Sequence, residues 1–212
     1  MSSPRAWILL PSGRRLNLLA PVPDSWTDQD LAIGLSRTYR WGGYTAWDLP
    51  LSVAQHSLTV LALATRAADH ALTPAEALRE LLHDAVEALM GGWDPVTPLK
   101  PYLGEGYRQL TERMQAAVDQ RYALPPWDEA ALRRHTQADR LAAASEAYQV
   151  AGWRRHELRN ELGITLEPLD ADPLPPLPGL QTWEPWPPRV AERRFLEQLQ
   201  ALQRRRRKGK AG

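Results

Sequence analysis

The chain has 212 residues, 43% of them hydrophobic and 24% charged, with a formal net charge of +1, the composition of one ordinary globular domain, alone or with an extension. It contains no cysteine, which excludes disulfides, thiolate metal sites and a cysteine nucleophile; any metal has to be held by His and carboxylates. No apolar run approaches the ~18 residues needed to span a bilayer, and Met1-Ser2-Ser3-Pro4-Arg5 lacks the basic start of a signal peptide, so a cytoplasmic protein without membrane contact is expected.

Residues 6–20 read as a hairpin: Ala6 to Leu10 is strand-like, Ser12-Gly13 supplies the turn, and Leu16 to Leu19 returns. Asp28 to Ser36 predicts a short helix with Thr27 as its cap. A glycine-containing aromatic loop follows, from Tyr39 to Tyr44. Residues 52–68, rich in Ala, Leu and Val, predict the first long helix. Thr73-Pro74-Ala75-Glu76 is a start signal, with a Thr cap, Pro in the first turn and Glu at the capping-box position. From there one helix is expected through Leu78, Leu81, Leu82, Ala85 and Leu89, stopping near Gly91-Gly92. Two more are expected over 105–122 and 128–151, the second capped by Asp128. Residues 168–188 hold eight prolines and cannot be regular helix. Helical spacing resumes at Val190, Phe195, Leu199 and Leu202 and runs into a basic tail, Arg204 to Lys210. The expected architecture is mostly α: a helical bundle over 1–160 with a small N-terminal hairpin, a Pro-rich extension over 161–188, and a helix with a basic tail over 189–212.

Four pieces carry chemistry together: Gln55-His56-Ser57, His83-Asp84-Ala85-Val86-Glu87, Asp94 to Lys100, and Ala138-Asp139-Arg140. The adjacent His83-Asp84 pair is the sharpest. An imidazole nitrogen and a carboxylate oxygen suit Mn, Co, Fe, Zn or Mg, and ionised Asp84, near a buried face, is costly without a cation or another partner. Glu87, four residues past His83, shares its helix face.

The strings Ser12-Gly13, Arg40-Trp41, Ser52 to Ser57, Leu82 to Ala88, Pro98-Leu99-Lys100 and Ala138-Asp139, in this order and spacing, resemble the HD-domain phosphohydrolase superfamily, signature H…HD…D. The closer likeness is to its 5′-deoxynucleotidase branch, the bacterial and prophage YfbR/YfdR-like proteins, over about residues 5–150. The resemblance implies one divalent metal ion held by His56, His83, Asp84 and Asp139. It implies that Glu87 assists proton transfer to the leaving oxygen, that Asp94 sits near the attacking water, that Arg40 grips the phosphate, and that Trp41 lies next to the sugar. The chemistry of such a site makes Lys100 a further candidate, beside Arg40, for neutralising the phosphate. Self-association, as a dimer or higher, is also implied. The stretch Ala88 to Trp93 is longer than the family pattern, Tyr44 stands where the prophage branch often has His, and residues 160–212 have no counterpart.

Each residue also has a plainer reading. His56 alone would be a core or capping histidine, Asp139 an acid paired with Arg134 or Arg140, Glu87 a surface ion-pair partner, and Asp94 a turn residue before Pro95. Arg40 could be a structural ion pair and Trp41 a core aromatic. His70, His135 and His156 fit no ligand spacing and read as surface or structural. The basic tail reads as a disordered solvated end, with nucleic-acid contact the lesser alternative. The leading function is a 5′-deoxynucleotidase, converting a deoxynucleoside monophosphate to deoxynucleoside and phosphate. A deoxynucleoside triphosphate triphosphohydrolase would use the same site with extra cations, Lys100 and Arg108 being the candidates. A non-catalytic nucleotide or nucleic-acid binding module is the third.

Overall fold

A computed structural model describes residues 5–210; the start at Met1 to Pro4, on which the signal-peptide reading largely rests, lies outside them. The described residues are mostly α-helical, with one small antiparallel hairpin at the N-terminal end. Strands β1 (Trp7–Leu9) and β2 (Arg15–Asn17) pair with Ile8 opposite Leu16. Gly13 closes the turn in the left-handed region, φ 82°, which a residue without a Cβ adopts readily.

The helices are α1 (Asp28–Arg37), α2 (Val53–Ala67), α3 (Pro74–Leu81), α4 (Ala85–Leu89), α5 (Gly104–Tyr122), α6 (Glu129–Gln149), α7 (Arg155–Asn160) and α8 (Pro188–Lys210). Expected caps are in place. Thr27 and Thr73 each form a reciprocal capping box, with Asp30 and Glu76, and Asp128 accepts from the Ala131 amide. The short α7 has no counterpart in the sequence reading.

Two expectations are corrected. The helix expected from Thr73 to Gly91 is broken: Leu82 (φ −102°, ψ 12°) and Asp84 (φ −103°, ψ 16°) leave helical geometry and separate α3 from α4. No Gly or Pro marks the break. The basic run is also not a solvated coil. It continues α8, where Arg206 donates to the Tyr122 carbonyl at the end of α5.

One core joins most of the elements. Leu31 and Leu35 of α1, Val53 and Leu58 of α2, Leu78 and Leu81 of α3, Val118 of α5, and Phe195, Leu199 and Leu202 of α8 belong to a single buried cluster. Burying a side chain such as Phe195 stabilises by about 1.5–3 kcal/mol. Residues 161–188 and 189–210, set apart by composition, therefore share the core of 1–160. A second cluster, Val60, Leu63 and Ala64 against Ala138 and Ala142, lets α2 and α6 approach closely through small residues. Gly34 does the same for α1 and α4, where an added Cβ would lie 3.0 Å from that of Ala88.

The Pro-rich segment 168–188 holds no regular helix before α8 begins at Pro188, running through bends and turns instead, and is fastened at Gln55. Its amide oxygen accepts from the Trp186 N–H at 2.7 Å, and its nitrogen donates to the Glu184 carbonyl at 3.2 Å. Trp183 is buried at φ 64°, a conformation that costs a non-Gly residue about 1–3 kcal/mol. Its amide and indole N–H groups both find partners, the Asp172 carboxylate and the Asp170 carbonyl. No helix among the described residues is long and apolar enough to cross a membrane.

Candidate metal centre

Ser52 caps α2 by accepting from the Gln55 amide, which sets His56 in the first turns, fully buried. The preceding chain is registered against it: Arg40 N–H donates to the Leu51 carbonyl and Val53 N–H to the Thr38 carbonyl, both at 2.9 Å. After Arg40 the chain turns through Trp41 and Gly42, both left-handed at φ 57° and 65°. On α6, Asp139 and Glu146 lie seven residues apart, two turns along one face. The break between α3 and α4 brings the adjacent side chains of His83 and Asp84 together. His83 Nδ1 donates to the Glu80 carbonyl at 2.8 Å, which leaves Nε2 as the nitrogen available to a metal ion.

Four expected ligands converge. His56 Nε2 lies 3.4 Å from Asp84 Oδ2, 3.2 Å from Asp139 Oδ1 and 3.3 Å from His83 Nε2. His83 Nε2 lies 3.1 Å from Asp84 Oδ2. Two donors about 2.0–2.2 Å from a shared ion, at right or tetrahedral angles, stand about 2.8–3.6 Å apart, so this spacing fits a single cation. His56, His83 and Asp84 form a group that could hold a metal ion, with one donor atom from each inside 4.8 Å of the others. Asp139 stands at its edge, its side chain 38% exposed.

Around this group sit the other expected residues. Arg40 is held between two nearly buried carboxylates, Nε to Glu146 Oε2 at 3.2 Å and Nη1 to Asp94 Oδ2 at 3.1 Å. Lys100 Nζ donates to Glu87 Oε1 at 3.3 Å, while Glu87 Oε2 is buried without a hydrogen-bond partner. Trp41 packs partly buried against Leu51, Val150 and Trp183. Arg108 does not join: it pairs with Glu105 and Glu112 on the exposed side of α5. His70 and His156 are exposed.

Charge explains the protonation pattern. Burial would raise the Asp84 carboxyl, but His83, His56 and Arg40 outweigh it and hold it well below the usual range. Asp139 is lowered by His56, His83 and Arg40 against its own burial. Glu87 moves the other way, up to about 9, because it is buried and faces Asp84 and Asp94, with Lys100 and Arg40 opposing. Burial and Arg40 press His56 down, yet Glu146 and Asp139 raise it to about 10. Four carboxylates (Asp84, Asp94, Asp139, Glu146) and two cations, Arg40 and Lys100, thus line the centre.

Two residues escaped the sequence reading. Glu146 is buried and accepts from His56 Nδ1 at 2.6 Å as well as from Arg40; its seven-residue offset from Asp139 was the available signal. Glu80 is also buried, with His135 Nδ1 at 2.9 Å from its Oε2. The His135 ring stacks on Trp127 and lies 4.9 Å from that of His83, so this histidine, read from the sequence as surface or structural, adjoins the centre.

No family model matches the chain. It is 42% identical over 154 residues to the uncharacterized protein RCAP_rcc00048 of Rhodobacter capsulatus, an alignment covering 72% of this chain and 77% of that one. At that identity and coverage, the chain belongs to one family with RCAP_rcc00048.

Proposed function

We propose that the chain is a metal-dependent phosphohydrolase of the HD-domain type that removes the 5′-phosphate from deoxynucleoside monophosphates. The observation that carries this reading is the convergence of His56, His83, Asp84 and Asp139, at one-ion spacing, beside a buried carboxyl with a free oxygen, Glu87. A divalent ion in such a set supplies Lewis acidity toward water and phosphoryl oxygen.

The chain's own residues account for the rest. Arg40, fixed by Asp94 and Glu146, presents a guanidinium to the phosphoryl oxygens, and Lys100 adds a second cation. Asp94 takes the proton of the attacking water as its oxygen bonds to phosphorus. The bond from phosphorus to the 5′-oxygen breaks, and Glu87, kept protonated by its surroundings, gives its proton to that oxygen. Deoxynucleoside and phosphate leave, with no covalent enzyme intermediate.

The position of Arg108 favours a monophosphate substrate, since one of the two cations suggested for a triphosphate is tied up on the outside of α5. Incubation with a panel of deoxynucleoside mono- and triphosphates and Mn, Co or Mg tests the reading. Orthophosphate from the monophosphates is expected. Inorganic triphosphate would indicate the triphosphohydrolase, and no turnover with any metal would indicate a binding module. His83→Ala should lose both bound metal and activity; full retention of both would overturn the assignment.

A further inference from the structure

Trp93 and Tyr107 take no part in the phosphoryl chemistry, yet they stand beside it. Trp93 follows two left-handed glycines, Gly91 at φ 99° and Gly92 at φ 77°, and its side chain is turned outward, the residue 48% exposed. Its ring meets Tyr107 edge-on, with centroids 5.9 Å apart and planes at 67°. An edge-to-face contact of this kind fixes an aromatic ring while leaving π-surface open.

Position ties the pair to the site. Trp93 directly precedes Asp94, and consecutive Cα atoms are only about 3.8 Å apart, so the indole leaves the chain next to the carboxylate that holds Arg40 at 3.1 Å. Tyr107, on the first turns of α5, lies in the field of Lys100, Glu87 and Asp94. An exposed aromatic surface therefore lies near Arg40 and Lys100, the two cations to which the phosphoryl group is assigned, an arrangement that a molecule with an anionic end and a flat ring would fit.

We propose that Trp93, braced by Tyr107, is the platform on which the base of the nucleotide stacks while its phosphate lies at Arg40. The inference rests on the phosphohydrolase reading for the place of the phosphate. Stacking on an aromatic face is tolerant of base identity, because every base has a π-face; the platform favours a base over no base rather than one base over another.

Titration calorimetry in metal-free buffer compares dAMP with deoxyribose 5-phosphate, which has no base, on wild type, Trp93→Phe and Trp93→Ala. The wild type should bind dAMP about tenfold more tightly than the sugar phosphate. Trp93→Ala should abolish that preference and leave sugar-phosphate binding unchanged, and Trp93→Phe should keep most of it. Equal binding of the two ligands by the wild type, no binding of either, or an equal loss of both in Trp93→Ala would overturn the proposal. So would a changed oligomeric state with unchanged nucleotide binding, which would make Trp93 a contact between copies. A base preference that depends on Trp93, in a protein that hydrolyses no deoxynucleoside monophosphate when Mn, Co or Mg is supplied, would keep the platform and remove the phosphohydrolase.

Discussion

Glu146 Oε1 accepts a hydrogen bond from His56 Nδ1 at 2.6 Å, fixing the imidazole with Nε2 toward the candidate metal position. Carboxylates placed behind ligating histidines typically contribute 10–100-fold to metal affinity. Glu146→Gln is therefore expected to weaken Mn or Zn binding by about that factor, as read by calorimetry. It should also raise KM, because Arg40 loses one of its two anchors.

Arg40→Ala is expected to destabilise the fold as well as weaken substrate binding. It leaves Asp94 and Glu146, both nearly buried, without their shared counter-charge, and breaking a buried pair costs about 3–5 kcal/mol. Denaturant unfolding measures this. Arg40→Lys should recover only part of it, since one ammonium cannot reproduce the fork that spans both carboxylates.

Glu87 makes a pH signature. Its carboxyl is raised from 4.5 to about 9 by burial and by Asp84 and Asp94, so the folded chain holds a proton that the unfolded chain has lost. The stabilisation of the protonated form is complete below 4.5 and is lost as pH rises toward about 9. Glu87→Gln should thus raise the melting temperature at alkaline pH, leave it unchanged in acid, and lower kcat by about 10²–10⁴-fold.

Metal loading should expel a proton. His56 is raised to about 10 chiefly by Glu146 and Asp139, against burial and Arg40, so at neutral pH a cation has to displace that proton to reach the nitrogen. Affinity should rise about tenfold per pH unit below that value. Calorimetry in two buffers of different ionisation enthalpy should report at least one proton released per ion, because, against its burial, the His83 imidazole is also raised by Asp84.

The caps at Thr27, Thr73 and Asp128 were legible because a side-chain oxygen before an apolar periodic run has a local reason to be there. The meeting of His56, His83, Asp84 and Asp139 was legible only through the family pattern; periodicity put them on helices without saying which faces met. The break at Leu82–Asp84 was hidden, since Leu82 to Ala88 reads as unbroken helix. Glu146 looked like any acid on a long helix, because its burial is decided by α2, more than eighty residues earlier. Phe195, Leu199 and Leu202 announced a helix but not the core it would complete.

Ending the chain at residue 160 is accordingly expected to abolish cooperative unfolding. It removes Trp186, Phe195, Leu199 and Leu202 from the common core, each worth about 1.5–3 kcal/mol, against a typical total of about 5–15 kcal/mol. Circular dichroism melts of the shortened chain would show it.

Gln55, immediately before His56, is the residue that grips Glu184 and Trp186, and the same distant stretch leads into the helix that closes the bundle. A ribosome making this protein therefore synthesises the candidate ligands long before it makes the segment that secures their scaffold. A nascent chain stalled short of α8 would carry every one of those side chains and still lack the settled geometry that brings them together.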